Sequence, residues 1–227
     1  MKSVFFPLLL FISTSIAAQI NKGAFDDYIY FINQNRPTYE GVEGTPYLSE
    51  SFTPAMIDNF KDVVYIKFNA FADNIEFKKP DDDVAILSME KDYRFKLLDG
   101  QNTQYEIHDY INAKGATKRT FFKKIGGGED FTLFLKHNVK YTPKKMATSG
   151  FEQNQPAKFT KIRDTYYIGQ PKEDYTNLVA IPSRKKEIST FFDKKSKTML
   201  QFIKKEKLKL DNEDDLVKIF KFYWSED

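Results

Sequence analysis

The sequence predicts an α+β fold: an antiparallel β-meander of about eight strands, curled into a curved sheet or partly open roll and closed by two or three short C-terminal helices. Three observations predict it. Aromatic residues make up 16% of the chain, with 22 Phe and 13 Tyr, and flat rings suit the pleated face of a sheet. From about residue 63 to residue 181, apolar residues recur at alternate positions between clusters of Gly, Pro, Asn and Asp. Beyond residue 187 the period lengthens to that of a helix.

The chain opens on Lys2, an apolar run at 4–12 (VFFPLLLFI) and small residues at 13–18. This is the layout of a signal peptide over residues 1–18, with an apolar core too short to span a bilayer. Small residues at Ser15 and Ala17 favour a cut after Ala17, with Ala18 as the close alternative. The implied location is the periplasm or the cell surface. There is no cysteine, which excludes disulfides, thiolate metal sites and a cysteine nucleophile. The formal charge of +3 is close to balance and gives no general argument for nucleic acid. No later segment is apolar for long enough to cross a membrane as a helix.

Residues 19–48 form an irregular lead-in punctuated by Gly23, Pro37, Gly41, Gly44 and Pro46, within which 25–32 is a first strand or an edge-covering turn. The β domain is expected over 49–181. Val64, Ile66, Phe68 and Ala70 share one face, and the apolar parity then switches to Ile75 and Phe77, so Ala72-Asp73-Asn74 should turn a hairpin between 63–69 and 74–78. Tyr93, Phe95 and Leu97 lead into Asp99-Gly100, a hairpin signal, before Tyr105, Ile107, Asp109 and Ile111. A strand over 119–125 ends in Gly126-Gly127-Gly128, a turn expected to need positive φ. Phe131, Leu133, Leu135, His137, Val139 and Tyr141 share the next face. Strands follow at 159–162, 165–168 and 177–181.

The helices occupy 182–227 and are expected to pack on the β domain. Ile188, Phe191 and Phe192, then Met199, Phe202 and Ile203, repeat at helical spacing around a break at 193–195. Asp211 is the expected N-cap of the last helix, with Glu213, Asp214 and Asp215 in its first turn and a stripe of Leu216, Ile219, Phe220 and Tyr223.

Candidate chemistry is sparse. Parity places His137 on the apolar face and His108 with Glu106 and Tyr110 on the opposite one; the expectation is a buried, hydrogen-bonded His137 and an exposed His108. No spacing ties them to a metal, and no G-x-S-x-G elbow supports a serine triad. Asp73 and Glu76, at the parity switch, are the carboxylate pair that a glycan hydrolase would use. The structural alternative is turn chemistry and exposed pairing. The triple glycine lacks the lysine and hydroxyl of a phosphate loop, and the acidic runs at 81–83 and 211–215 lack calcium-loop spacing. No metal or cofactor is implied.

Charge is uneven along the chain. Residues 184–209 carry ten Lys or Arg against three acids, and an acidic segment follows. Arg184, Lys185, Lys186, Lys204, Lys205 and Lys207 would meet an anionic glycan or lipid headgroup, or else form a solvated helix face neutralised by its neighbour.

Several segments resemble a family of uncharacterised secreted proteins of Bacteroidota, of flavobacterial type. They are Gly44-Thr45-Pro46-Tyr47-Leu48 with Glu50 and Phe52, Lys67-Phe68-Asn69-Ala70-Phe71 running to Asp73, Ile75, Glu76 and Phe77, Thr165-Tyr166-Tyr167, Phe202-Ile203-Lys204-Lys205 through Lys207-Leu208-Lys209, and Asp214-Asp215-Leu216 with Tyr223. Members more often have Arg-Tyr-Asn at Lys67-Phe68-Asn69 and Tyr-Asn at Tyr223-Trp224. The resemblance implies envelope location and a shared fold, and it carries no catalytic residues. The expectation is a secreted or periplasmic, non-enzymatic binding or scaffolding protein of the envelope, with envelope proteins or anionic glycan and lipid headgroups as partners. The alternative is the carboxylate-dependent hydrolase of envelope glycan. A membrane β-barrel is disfavoured by the short strands and the polar helices.

Overall fold

The structure is a computed structural model that describes residues 29–32, 38–112, 114–147 and 153–225. The expected signal segment and most of the expected 25–32 strand lie outside the described residues. The strands are β1 (Phe31–Ile32), β2 (Thr53–Ile57), β3 (Val64–Asn69), β4 (Asn74–Lys78), β5 (Val84–Leu87), β6 (Arg94–Leu97), β7 (Gln104–Ile111), β8 (Thr117–Gly127), β9 (Thr132–Thr142), β10 (Lys158–Gly169) and β11 (Val179–Ala180). Three helices follow: α1 (Lys185–Phe191), α2 (Ser196–Lys205) and α3 (Glu213–Ser225). The strands form one open antiparallel sheet in the order β1-β5-β4-β3-β2-β6-β7-β8-β9-β10-β11. The expected α+β meander with terminal helices is what forms.

The β3–β4 hairpin shows why the parity flips. Ile66 pairs with Phe77 and Phe68 with Ile75, so the apolar residues of both strands share a face. Asn69 starts the turn by accepting hydrogen bonds from the Phe71 and Ala72 amides at 3.2 and 2.9 Å, and Asp73 completes it at φ 54°. β2 and β5 go beyond the strands expected from sequence. Pro54 lies inside β2, where proline argues against a strand, and β5 is only four residues long. β6 returns to β2, pairing Leu97 with Ala55, and so joins the two ends of the early meander.

Strands β2 to β8 roll over a common core. Phe68 lies 4.3 Å from Tyr105, 4.7 Å from Phe121 and 6.2 Å from Phe95, ring centre to ring centre. A second core forms where Phe131, Leu133 and Ile168 meet Ile188, Phe192, Met199, Ile203, Leu216, Ile219 and Phe220 of the helical end. A third lies on the other face of the same strands, where Leu178 and Tyr175 cover Tyr110, Phe122, Phe134 and Tyr167. The middle of β8, the first half of β9 and the last residues of β10 are therefore buried on both sides.

Three local expectations are corrected. Gly126 and Gly127 lie within β8, and none of Gly126, Gly127 and Gly128 has positive φ. At Gly127 glycine is required by close approach, since a Cβ there would collide with the Phe131 carbonyl. The N-cap of α3 is Asn212 in place of Asp211: its side-chain oxygen accepts the Asp215 amide at 2.9 Å. The strands expected at 159–162 and 165–168 are one strand, β10, with a bulge between Ile162 and Thr165. In the helical stripe, Leu216, Ile219 and Phe220 are fully buried, while Tyr223 is half-buried.

Candidate functional site

The predicted carboxylates go to separate duties. Glu76 on β4 is fully buried and accepts a 2.6 Å hydrogen bond from the Tyr47 hydroxyl. Asp73, at the hairpin tip, forms a 2.7 Å ion pair with the largely buried Lys136 on β9. Glu76 has no access to a substrate, which removes it from the exposed pair expected at this turn. The tip packs against β9 because β8 and β9 are paired only at the Lys123–Gly127 end and part beyond it. Asp81, Asp82 and Asp83 form the turn after β4, where Asp82 and Asp83 pair with Lys78 and Lys79 at 2.8 and 2.9 Å. Among the described residues no group of three His, Asp or Glu is placed to hold a metal.

Both histidines have carboxylate partners. His108 is not exposed: its side chain is 12% accessible, because Phe134 and Tyr175 pack at 4.8 and 5.1 Å. Sequence parity put it beside Glu106, and its Nε2 lies 2.9 Å from Glu106 Oε2. Lys124 donates to the other Glu106 oxygen at 2.9 Å. Burial pushes the Glu106 carboxyl up, but the hydrogen bonds from His108 and Lys124 and their charges outweigh it and hold it at about 2. Glu106 and His108 line a cavity of about 230 Å³ with Asp92, Asp109, Arg119 and the 174–176 segment. Arg119 is already committed there, to Asp109 at 3.0 Å and to the Asp92 carboxylate.

His137 is half-buried on β9, opposite the β10 bulge that turns Asp164 toward it. Nδ1 lies 3.0 Å from Asp164 Oδ2, and Nε2 lies 3.2 Å from the Tyr105 hydroxyl. A carboxylate only accepts, so Nδ1–H donates and, in the neutral ring, Nε2 accepts from tyrosine. Burial lowers the His137 pKa, with Asp164 opposing it, and burial raises that of Tyr105. Both shifts favour this neutral chain. It borders a cavity of about 420 Å³ with Leu48, Asn138, Val139, Lys161 and Ile162.

The basic block divides by element. Arg184 and Lys185 begin α1, and Lys186 is exposed on it; Arg184 approaches Glu187 at 3.4 Å. Lys204 and Lys205 end α2 and Lys207 follows, all exposed, and the last-turn lysines face the negative end of the helix dipole.

A cleft that sequence reasoning missed lies between the helices and the edge of the sheet. It encloses about 380 Å³, lined by Ile168, Gly169, Gln170, Thr176, Asn177, Val179, Phe191, Tyr223 and Trp224. Packing holds its aromatic wall: Trp224 stacks on Phe131 at 5.0 Å, and Phe191 meets Phe220 at 6.0 Å. The opposite wall is a short segment in which Asp174, Tyr175 and Asn177 all have left-handed backbones, at φ 52°, 53° and 59°. Such residues persist only where the surroundings over-determine them. Here the Tyr175 ring meets Phe134 at 5.6 Å, and its hydroxyl lies 3.1 Å from Thr132 Oγ1. A Cβ on Gly169 would strike Tyr175 and Leu178, so glycine lets this wall close onto β10. Among the described residues, the side-chain amides of Gln170 and Asn177 bond no protein group. No signal of period or motif links residues 170–177 to 191 and 223–224; only the tertiary fold does.

No protein-family model matches the chain, and no curated protein or solved structure is detectably similar to it.

Proposed function

We propose that this is an exported, non-enzymatic binding protein of the cell envelope, and that its ligand is a small neutral saccharide held in the cleft between the helices and the sheet edge. The cleft carries the proposal. A sugar ring has an apolar C–H face and a rim of hydroxyls. Phe191, Tyr223 and Trp224 offer ring surface to the first, and Gln170 and Asn177 offer unspent amides to the second. Among the described residues no charged side chain lines the cavity, which suits an uncharged ligand. Export rests on the residue 1–18 layout and on the resemblance to secreted proteins of Bacteroidota. The hydrolase alternative gains no support, because its Glu76 is sealed by Tyr47.

Calorimetric titration with neutral oligomers of glucose and of N-acetylglucosamine tests the ligand class. Saturable binding is expected for one of them, weakened about tenfold by Asn177→Ala or Gln170→Ala, the worth of one good hydrogen bond. Absence of heat with every oligomer, or binding indifferent to both substitutions, would remove the saccharide assignment. Export has its own test: N-terminal sequencing from the native host should begin at Ala18 or Gln19, and an intact Met1 would refute it.

A further inference from the structure

We propose that the sugar of the helix–sheet cleft is an uncharged N-acetylhexosamine, recognised through its acetamido group; this rests on the saccharide reading above and names the sugar within it. Two kinds of group line the sheet wall. Ile168 of β10 pairs with Val179 of β11, and both line the cleft. Two residues nearer the connecting loop on each side, Gln170 and Asn177 line it as well. An aliphatic pair therefore stands next to a pair of primary amides. An acetamido group has the same make-up, a methyl beside an amide. Val179 is 50% exposed, so a methyl seated on it gains burial that a hexose hydroxyl would not.

The amide half of the group carries the selectivity. A secondary amide is planar and trans, so its N–H and C=O point in opposite directions. Meeting both takes an acceptor on one side and a donor on the other, from two separate protein groups. A primary side-chain amide has two N–H donors and a carbonyl acceptor, and Gln170 and Asn177 are two such groups. The hydroxyl rim of a plain hexose calls for something else. Each hydroxyl has a proton to donate, and a carboxylate is the strongest acceptor for it. Among the described residues no carboxylate lines this cleft, and neither does a cation. The first absence disfavours both plain hexoses and the cationic, de-acetylated hexosamine; the second disfavours acidic sugars. Phe191, Tyr223 and Trp224 on the facing wall take the C–H face of the ring in either case.

Calorimetric titration of the full chain with diacetylchitobiose and with cellobiose tests the proposal. The two disaccharides share linkage and ring stereochemistry and differ only at the second carbon of each ring, acetamido against hydroxyl. A preference of at least about tenfold for diacetylchitobiose is expected, the worth of one hydrogen bond and a covered methyl. Val179→Ser should weaken diacetylchitobiose about fourfold, since it removes the apolar seat. Gln170→Glu with Asn177→Asp keeps the acceptors and removes the donors, and should weaken it at least about tenfold. Thermal melting checks that each variant folds, and the comparison of the two sugars needs no variant. Equal or tighter binding of cellobiose would overturn the acetamido assignment and leave the saccharide reading standing. Silence with both, and with the longer oligomers of each, would remove that reading itself. Diacetylchitobiose binding that is indifferent to Val179→Ser and to the double variant would place the acetamido group elsewhere and overturn the proposal.

Discussion

Strands β2 to β7 bury their apolar face by rolling over it, so that Phe68 reaches Phe95 and Tyr105 across the same core. Strands β8 to β10 instead receive helices on one face and the 170–178 segment on the other. In the first region one parity is apolar and the other mostly polar. In the second, neighbours in sequence are both buried: Phe121 and Phe122, Leu133 and Phe134, Tyr167 and Ile168. The difference shows in the lining of the cavities. The roll has its own hollow of about 500 Å³, between the Ala72–Asn74 turn and Ile86–Glu90, whereas a strand covered by separate elements has a seam along each covering. The cavity bordered by His108 and the aromatic cleft both lie along these coverings.

The largest expected effect breaks one covering. Phe220→Ala empties a fully buried site against Phe131, Phe191 and Phe192, and should cost roughly 3–5 kcal/mol by denaturant titration. Phe68→Ala, at the centre of the roll, should cost a similar amount. An unchanged stability for Phe220→Ala would show that the helices are a detachable arm.

The second test concerns the other covering. Glu106 has a folded pKa of about 2 against an ordinary 4.5, so between these values the unfolded chain binds a proton that the folded one does not. Its contribution, about 3 kcal/mol, is complete above the unfolded value and is lost as pH falls toward 2. Urea melts at successive pH values should show this loss in the natural protein and a flatter profile in Glu106→Gln. A steeper acid loss in the variant would mean that another carboxylate is responsible.

A smaller effect sharpens the reading of His137. Because its pKa is lowered, its contribution is present above the unfolded value and lost as pH falls through the folded one. Asp164 is the group that supports the charged ring, so Asp164→Asn should lower the His137 pKa further in an NMR titration. A rise would reverse the assigned roles. Smallest of all, Lys204→Ala and Lys205→Ala should each stay within about 0.5 kcal/mol of the natural protein, being exposed away from any packed contact.

Sequence periodicity made the roll legible and the site illegible, for physical reasons. The β3–β4 parity switch could be read because Ile66, Phe68, Ile75 and Phe77 answer to one core. The helical stripe was equally plain, since Leu216, Ile219 and Phe220 face one way. His108 was expected to be exposed because alternation shows which face a residue takes, but not that Tyr175 will later cover that face. Asp164 becomes a partner of His137 only through a bulge, and Asp174, Tyr175 and Asn177 adopt left-handed backbones in a segment with no glycine. Glu76 looked exposed at a turn because nothing local signals that Tyr47, twenty-nine residues earlier, seals it. Each failure is a long-range contact overriding a local rule.

The chain has a single tryptophan, Trp224, and it lines the cleft, so its emission reports the proposed site directly. Titration with the oligosaccharide that binds by calorimetry should shift Trp224 emission and reduce its quenching by acrylamide, with the same midpoint as the heat and with both effects weakened in Asn177→Ala. Calorimetric binding with Trp224 emission and quenching unchanged would place the ligand elsewhere and contradict the account.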